Sequence, residues 1–272
     1  MDQRARKAVI LARGLGTRMS RPDRGAQLDR QQSAVAAGGL KAMMPVGRPF
    51  LDYVLTMLAD AGFDDICLVI GPDRGAIRDY YQMDAKPRRF KLSFAHQEKP
   101  LGTADAVLAA EAFTGSDHFL VINSDTYYPV QACRGLHLLG EAGVAAFWRD
   151  ALISEGNLTA ERVARFPVIE MNGQGFLSRL LEPEDAPAVP AGTDVLVSVN
   201  CWMFTRTIFR ACREIGPSRS GELELPEAVR HAITHLGERL RVLPFRELVL
   251  DLTSRADVAA VAARLAGVEV RL

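Results

Sequence analysis

The residues best suited to chemistry near the start of the chain are Gly14, Gly16, Thr17 and Arg18, which follow the apolar run Val9, Ile10, Leu11, Ala12. Such a run makes a buried strand. A Gly-x-Gly after it lets the backbone turn sharply and approach a ligand, because glycine tolerates positive φ and has no Cβ in the way. Successive N–H groups in that turn form a concave anion site, more so where a helix starts just beyond it. Arg18 adds a cationic fork suited to phosphate oxygens. Together they read as a triphosphate cradle, with a plain strand-to-helix turn as the alternative. A dinucleotide-binding turn is excluded, since Met19 stands where the third glycine of G-x-G-x-x-G belongs, and no G-x-x-x-x-G-K-[ST] occurs anywhere. Asp125 lies just past another apolar run, where a carboxylate is either a turn or helix cap or a ligand. His231 and His235 are four residues apart, but no H-E-x-x-H surrounds them, and a solvated helix face is the simpler reading.

These residues need a scaffold, and the hydrophobic pattern supplies one. After the first strand, residues 20–39 are rich in Arg, Asp, Gln, Ala and Gly with no clear period. That composition predicts a mobile loop over the triphosphate site, or a solvated insertion without function. A helix is predicted over 50–61, stopped by Gly62, then a strand at 66–70, a helix over 74–82 and a strand at 92–96. Thr103 is placed to cap a helix over 104–112, and a strand follows at 119–123. Strands alternating with helices predict a mostly parallel sheet covered on both faces. In such sheets the ligand lies beyond the carboxyl ends of the strands, where Gly14, Gln97 and Asp125 gather. Further on, strands are predicted at 144–148, 163–170, 176–181 and 195–204. Asn172-Gly173 makes a hairpin of the middle pair, and a Pro- and Ala-rich loop over 182–192 follows it. Helices over 206–214 and 225–236, strands at 240–244 and 248–252, and a helix over 255–265 complete the chain. Ser254 and Asp257 resemble a capping box for the last helix. No internal repeat occurs, so a hexapeptide β-helix is not expected.

At 272 residues and 48% hydrophobic composition, the chain can bury a sizeable core, and one α/β domain over 1–272 is the natural expectation. Lys plus Arg and Asp plus Glu number 33 each, so no global field draws the chain to nucleic acid or an acidic membrane. Cys67, Cys133, Cys201 and Cys212 lack C-x-x-C spacing, which predicts buried reduced thiols in a cytoplasmic setting. No apolar run approaches the ~20 residues of a membrane helix, and residues 1–6 are too polar for a signal peptide.

LARGLGTRM over 11–19, followed by LKAMMPVGRPFLDYVLTMLADAG over 40–62, resembles the opening of the sugar-phosphate nucleotidyltransferases, the glycosyltransferase A-like pyrophosphorylases that make nucleotide sugars. The family pattern is L-A-A-G-x-G-T-R-M, then P-K with P-V-x-G-x-P following. Leu11, Ala12, Gly14, Gly16, Thr17, Arg18, Met19, Lys41, Pro45, Val46, Gly47 and Pro49 are kept. Arg13 replaces a small residue, Leu40 replaces the proline, and the 22 residues between Arg18 and Lys41 are more than usual.

The resemblance implies a three-layer α/β sandwich around a mostly parallel, Rossmann-like mixed sheet, with a nucleotide-binding first half and a sugar-binding part over about 144–252. It implies transfer of a nucleoside monophosphate from an NTP to a sugar 1-phosphate, with pyrophosphate released and Mg²⁺ as cofactor. Arg18 and Lys41 become the catalytic cations. Leu11 to Arg13, Gly14, Gly16 and Thr17 join Gln97, Gly102 and Thr103 as nucleotide-binding residues, and Asp125 and Asp251 become metal ligands. Gln97 occupies the base-reading position, where an amide's donor and acceptor suit uracil or thymine, so UTP or dTTP is the expected donor. Arg13 raises GTP as the alternative, because a guanidinium can pair with the two acceptors on one guanine edge. Glu182, Asn200 and Trp202 fall at sugar-binding positions. The family lysine of E-K-P is missing from Leu181-Glu182-Pro183, and Arg179 is a candidate substitute. Trp202 stands where the family has glycine, which is expected to reshape the sugar pocket. A glycosyltransferase would use Asp-x-Asp, and Asn123-Ser124-Asp125 offers one carboxylate. A non-catalytic regulatory subunit would lose one of Arg18, Lys41, Asp125 and Asp251, and all are kept. Self-association is left open.

Overall fold

The computed structural model describes residues 4–23, 25–72, 74–185 and 194–272. The first half runs β1 (Lys7–Leu11), α1 (Thr17–Ser20), α2 (Arg30–Ala37), α3 (Phe50–Ala61), β2 (Asp65–Ile70), α4 (Gly75–Asp79), β3 (Lys91–His96), α5 (Thr103–Ala109), α6 (Glu111–Thr114) and β4 (Phe119–Asn123). The second half runs β5 (Thr126–Tyr127), α7 (Val130–Leu139), β6 (Gly143–Trp148), α8 (Arg149–Ser154), α9 (Ala160–Val163), β7 (Val168–Met171), β8 (Leu177–Leu181), β9 (Leu196–Phe204), α10 (Thr207–Glu214), α11 (Leu225–His235), β10 (Arg241–Phe245), β11 (Leu250–Asp251) and α12 (Asp257–Leu265).

The main sheet has the order β10-β6-β9-β4-β1-β2-β3, with the β7–β8 hairpin joined through β9. β1 pairs in parallel with β2 and β4, β2 with β3, and β6 with β10, while β9 runs antiparallel to β4 and β6. The alternation of side chains along a strand then sorts the core into two layers. Ile10, Leu68, Leu120 and Ile122 face one apolar cluster, and Val9, Val69, Phe119 and Val121 face the other. Helices cover both faces, as the alternating pattern predicts.

Several elements depart from the sequence expectation. Residues 20–39 hold the helix α2, started by a capping box in which Asp29 and Gln32 bond each other's backbone N–H. The helix predicted over 74–82 is α only to Asp79, then π over Tyr80–Ala85. In an α-helix, neighbours diverge by about 100°; here consecutive Tyr80 and Tyr81 both reach the buried Asp52 carboxylate, at 3.0 and 2.9 Å. The strand predicted over 163–170 starts only at Val168, and the last strand shrinks to Leu250–Asp251. Thr103 does not cap α5; its Oγ1 instead accepts from Leu225 N, the first N–H of α11, at 2.8 Å. Only half of the Ser254–Asp257 box forms, with Asp257 accepting from the N–H of Thr253 and Ser254. The loop predicted over 182–192 lies outside the described residues from 186 on.

The four cysteines are free and buried, and burial pushes the Cys67 and Cys212 thiols up to about 12, which keeps them protonated and inert. Among the described residues no helix is long and apolar enough to cross a membrane.

Candidate active site

β1 lies where the strand order reverses, with β2 on one side and β4 on the other, the place where open α/β sheets bind ligands. There Ser124 N donates to Leu11 O at 3.2 Å and Ala12 N to Val69 O at 2.8 Å, so the three strand ends are tied together. A cleft of about 420 Å³ opens above them. Leu11, Ala12, Arg13, Gly14, Gly16, Thr17 and Arg18 line it, with Lys41, Gln97, Gly102, Thr103 and Asp125 from more distant parts of the chain. A wider depression of about 820 Å³ lies at the opposite ends of the strands. Its Arg6 and Lys7 are already paired with Asp64 and Asp117, and the predicted site residues are not on it.

Gly16 and Gly39 explain how the cradle is built. Both have positive φ, 65° and 64°. A Cβ on Gly16 would lie 2.1 Å from Gly39 O, and one on Gly39 would lie 2.4 Å from Leu15 O. The segment returning from α2 therefore packs backbone on backbone against the glycine turn, and Lys41 N then donates to Gly39 O at 3.0 Å. This contact delivers Lys41 to the cleft. Gly14, in contrast, has nothing within 4 Å of a Cβ position, which leaves room for close approach by a ligand. The helix after the turn, Thr17–Ser20, is a single turn long. Arg18, its second residue, is exposed, with no protein partner among the described residues.

The two aspartates meet through backbone pairing. β5 and β11 form a two-stranded antiparallel ladder with Asp251 opposite Thr126, and Leu252 N donates to Asp125 O at 2.8 Å. Lys41 Nζ pairs with Asp125 and Arg162 with Asp251; Arg162 also reaches Asp257 at 2.6 Å. Asn157 completes the Asp251 edge, donating to its carbonyl and accepting from its N–H, both at 2.8 Å. Burial pushes the Asp251 carboxyl up to about 6, with the Asp125 charge adding to it, against Arg162, Thr253 and Lys41. Two hard-oxygen donors that repel each other suit a small divalent cation that also keeps waters and phosphate oxygens. Among the described residues no group of three or more His, Cys, Asp or Glu could hold a metal, so no third side chain of those types joins this pair.

That shift has a sign that can be measured. With a folded value near 6 against an ordinary 3.8, the native state binds the extra proton between those limits. Stability is therefore lost as pH rises through about 4 to 6 and stays lost above. Asp251→Asn cannot ionise. In the absence of divalent cations it is expected to melt higher than the parent at pH 8, by up to about 3 kcal/mol, with the gap closing near pH 4. Melting curves of both proteins across that range check this; a gap that does not change with pH would contradict it.

At the base side, Gln97 is buried with its Nε2 donating to Gly102 O at 2.9 Å and to Asp105 Oδ2 at 2.8 Å. Both amide hydrogens are thus spent on acceptors, and Oε1 is the edge left to the cleft. Arg13 is also engaged: Nε donates to Gln97 O at 3.0 Å and Nη2 to Glu98 O at 3.4 Å. Gly102 (φ 123°) packs on the Leu223 backbone, where a Cβ would come within 2.4 Å of Leu223 O. Hydrogen bonds from Leu223 N to Leu101 O and from Ala104 N to Leu223 O close this seam at 2.7 and 2.8 Å. Glu222 lines the cleft beside it.

The sugar-side positions are not gathered in this cleft. Glu182, after β8, accepts from Arg230 on α11 at 2.8 Å. Asn200 sits at φ 57° where the pairing of β9 with β6 shifts register, a conformation asparagine tolerates better than most residues. Trp202 does not shape a pocket: it is fully buried, stacks on Phe204 with ring centroids 5.9 Å apart, and donates Nε1 to Asn200 Oδ1 at 3.3 Å. Arg179 is exposed on the hairpin opposite Glu170. Arg74, Asp105, Asn157, Arg162 and Glu222 carry no local motif, and only their long-range contacts reveal them.

An open sheet with a glycine turn and cationic side chains beyond the carboxyl ends of its central strands has the architecture in which α/β proteins bind nucleotides. The family model described as nucleotidyl transferase matches residues 7–245, and the chain belongs to that family. It is 30% identical over 230 residues to a glucose-1-phosphate thymidylyltransferase of Streptomyces antibioticus, covering 84% of this chain and 57% of that protein. It is 28% identical over 225 residues to a UTP–glucose-1-phosphate uridylyltransferase of Haloferax volcanii, covering 82% of each. Among solved structures, a UDP-glucose pyrophosphorylase complexed with UDP-glucose superposes with a TM-score of 0.72 at 19% identity, over 96% of this chain and 98% of that one. At that identity the likeness shows the fold.

Proposed function

We propose that this chain transfers a nucleoside monophosphate from an NTP to a sugar 1-phosphate and releases pyrophosphate. The observation that carries this reading is the convergence of the glycine turn, Arg18, Lys41 and Asp125 on one cleft that also holds Gln97. A sugar phosphate oxygen attacks the α-phosphorus, and the bond from that phosphorus to the bridging oxygen of the pyrophosphate breaks. The protein's part is positioning and charge stabilisation. The N–H groups of the glycine turn hold the triphosphate, and Arg18 faces the leaving pyrophosphate. Lys41 is the cation placed for the α-phosphate, where charge shifts as the bond breaks. Asp125 and Asp251 would hold Mg²⁺, which when bound screens the repulsion between the two phosphates. Lys41 and Arg162 neutralise those carboxylates in the structure described above, which leaves each a cation to exchange.

The orientation of Gln97 supports UTP or dTTP as donor. With both amide hydrogens held by Gly102 and Asp105, Oε1 is an acceptor for the N3–H of uracil or thymine. Cytosine and adenine present a ring-nitrogen acceptor there, and two facing acceptors leave buried polar groups unpaired. Guanine also carries a ring N–H; Arg13, the group that would read its other edge, is held in place by two main-chain carbonyls through Nε and Nη2, with its Nη1 hydrogens left over, so GTP stays the alternative the assay must separate. The names of the thymidylyl- and uridylyltransferase relatives support the same choice.

The test is pyrophosphate release with each of five NTPs against a panel of sugar 1-phosphates, with Mg²⁺ and with excess chelator. UTP or dTTP is expected to exceed CTP and ATP in kcat/KM by about ten- to a hundredfold, the effect of one lost pairing at Gln97 Oε1, ~1–3 kcal/mol. A GTP advantage of about tenfold would overturn the base reading. No release with any pair, or full activity in chelator, would overturn the reaction or its metal.

A further inference from the structure

We propose that Arg74 is a positioning residue that clamps the glycine turn to the segment delivering Lys41. Its side chain is buried. Nη1 donates to Gly38 O at 3.1 Å and Nη2 to Gly14 O at 3.3 Å, carbonyls from two segments far apart in sequence. Those segments meet again at Gly16 and Gly39, whose contact leaves no room for a Cβ. The guanidinium fork therefore closes a ring of contacts around the junction, one residue before Gly39, whose carbonyl accepts from Lys41 N.

Fixing the carbonyls has a second effect. In a trans peptide, C=O and N–H point in opposite directions, so holding Gly14 O on Arg74 turns the Leu15 N–H away from it. Arginine suits this task because its planar fork serves two acceptors at a fixed angle, where a lysine ammonium is a point donor on a flexible stem. The need for a clamp follows from the sequence itself. A proline before the lysine would lock φ there, whereas this chain has Leu40, at φ −83°, after a long excursion through α2.

The catalytic consequence rests on the nucleotidyl-transfer reading, but the clamp itself can be measured without turnover. Arg74→Ala and Arg74→Lys are compared with the parent by steady-state kinetics and by hydrogen exchange of the ligand-free proteins. Both variants are expected to lose about 10- to 100-fold in kcat, as for an ångström-scale misplacement of a reacting group, while KM for the NTP stays within about threefold. Exchange in the peptides covering 13–17 and 38–42 is expected to rise about tenfold while that over 50–61 stays unchanged. Millimolar guanidinium, and not methylammonium, should restore part of kcat in Arg74→Ala. Parent-like kcat in Arg74→Lys with a raised KM in Arg74→Ala would make Arg74 a simple charge on the triphosphate and overturn the clamp. Unchanged exchange over 38–42 would overturn it too, even for a protein without transferase activity. Should Arg74→Ala not fold, Arg74→Lys and Arg74→Gln decide on the same exchange readout.

Discussion

Lys41→Ala is expected to lower kcat by a few hundredfold, or ~3–4 kcal/mol, the usual effect of removing one preorganised charge from a transition state. Folding should persist, because Lys41 stands at the start of a short 3₁₀ turn on the rim of the cleft and not on a core strand. Its partner makes the result informative. Lys41 pairs with Asp125, so its loss also strips the cation from a carboxylate whose neighbour, Asp251, is already pushed up to about 6 by burial and, after that, by the Asp125 charge. The variant should bind a divalent cation at least as well as the parent, measured by titration calorimetry, while turning over slowly. Lys41→Arg, which keeps the charge and changes its shape, should fall between. A kinetically normal Lys41→Ala enzyme would remove Lys41 from the reaction.

Gly16→Ala is expected to damage stability and activity together. The added Cβ would meet Gly39 O at 2.1 Å, and the residue must also keep φ at 65°. Left-handed backbone costs a non-glycine residue about 1–2 kcal/mol, and displacing a packed carbonyl adds about 1–3 kcal/mol. A total near 3 kcal/mol corresponds to roughly 6–12 °C in Tm for a chain of this size. Relief of the clash requires Gly39 to move, and Lys41 moves with it, so kcat should fall by about a hundredfold even where the protein is folded. Gly14→Ala is the matched control, since open space surrounds a Cβ there. It should melt within about 1 kcal/mol of the parent and show its effect in KM for the NTP. Equal melting of the parent and the Gly16→Ala protein would mean that the turn and the Gly39 segment do not touch as described.

What the sequence determined by itself was local. A short apolar run followed by Gly-x-Gly-Thr-Arg reads as a strand feeding a tight turn, and alternating strand and helix periods point to a covered, mostly parallel sheet. A sheet of that kind brings Gly14, Gln97 and Asp125 to one end, and the structure has them there. The α3 helix was legible to the residue because a 3.6-residue apolar period runs into Gly62.

Tertiary structure decided everything that depends on partners far away in the chain. Residues 20–39 have no amphipathic stripe because α2 is short and weakly apolar, with only Ala36 buried; its capping box and the Gly16–Gly39 contact give it a place that periodicity cannot show. Trp202 belongs to the core because β9 is inserted antiparallel between β4 and β6, which closes both faces around it. Gln97 became an acceptor only when Asp105 and Gly102 took its hydrogens, and Arg13 lost its freedom to the carbonyls of 97 and 98. Arg74 and Arg162 carry no motif at all. Their roles arise from hydrogen bonds across long loops, whose closure the chain's local energetics do not encode.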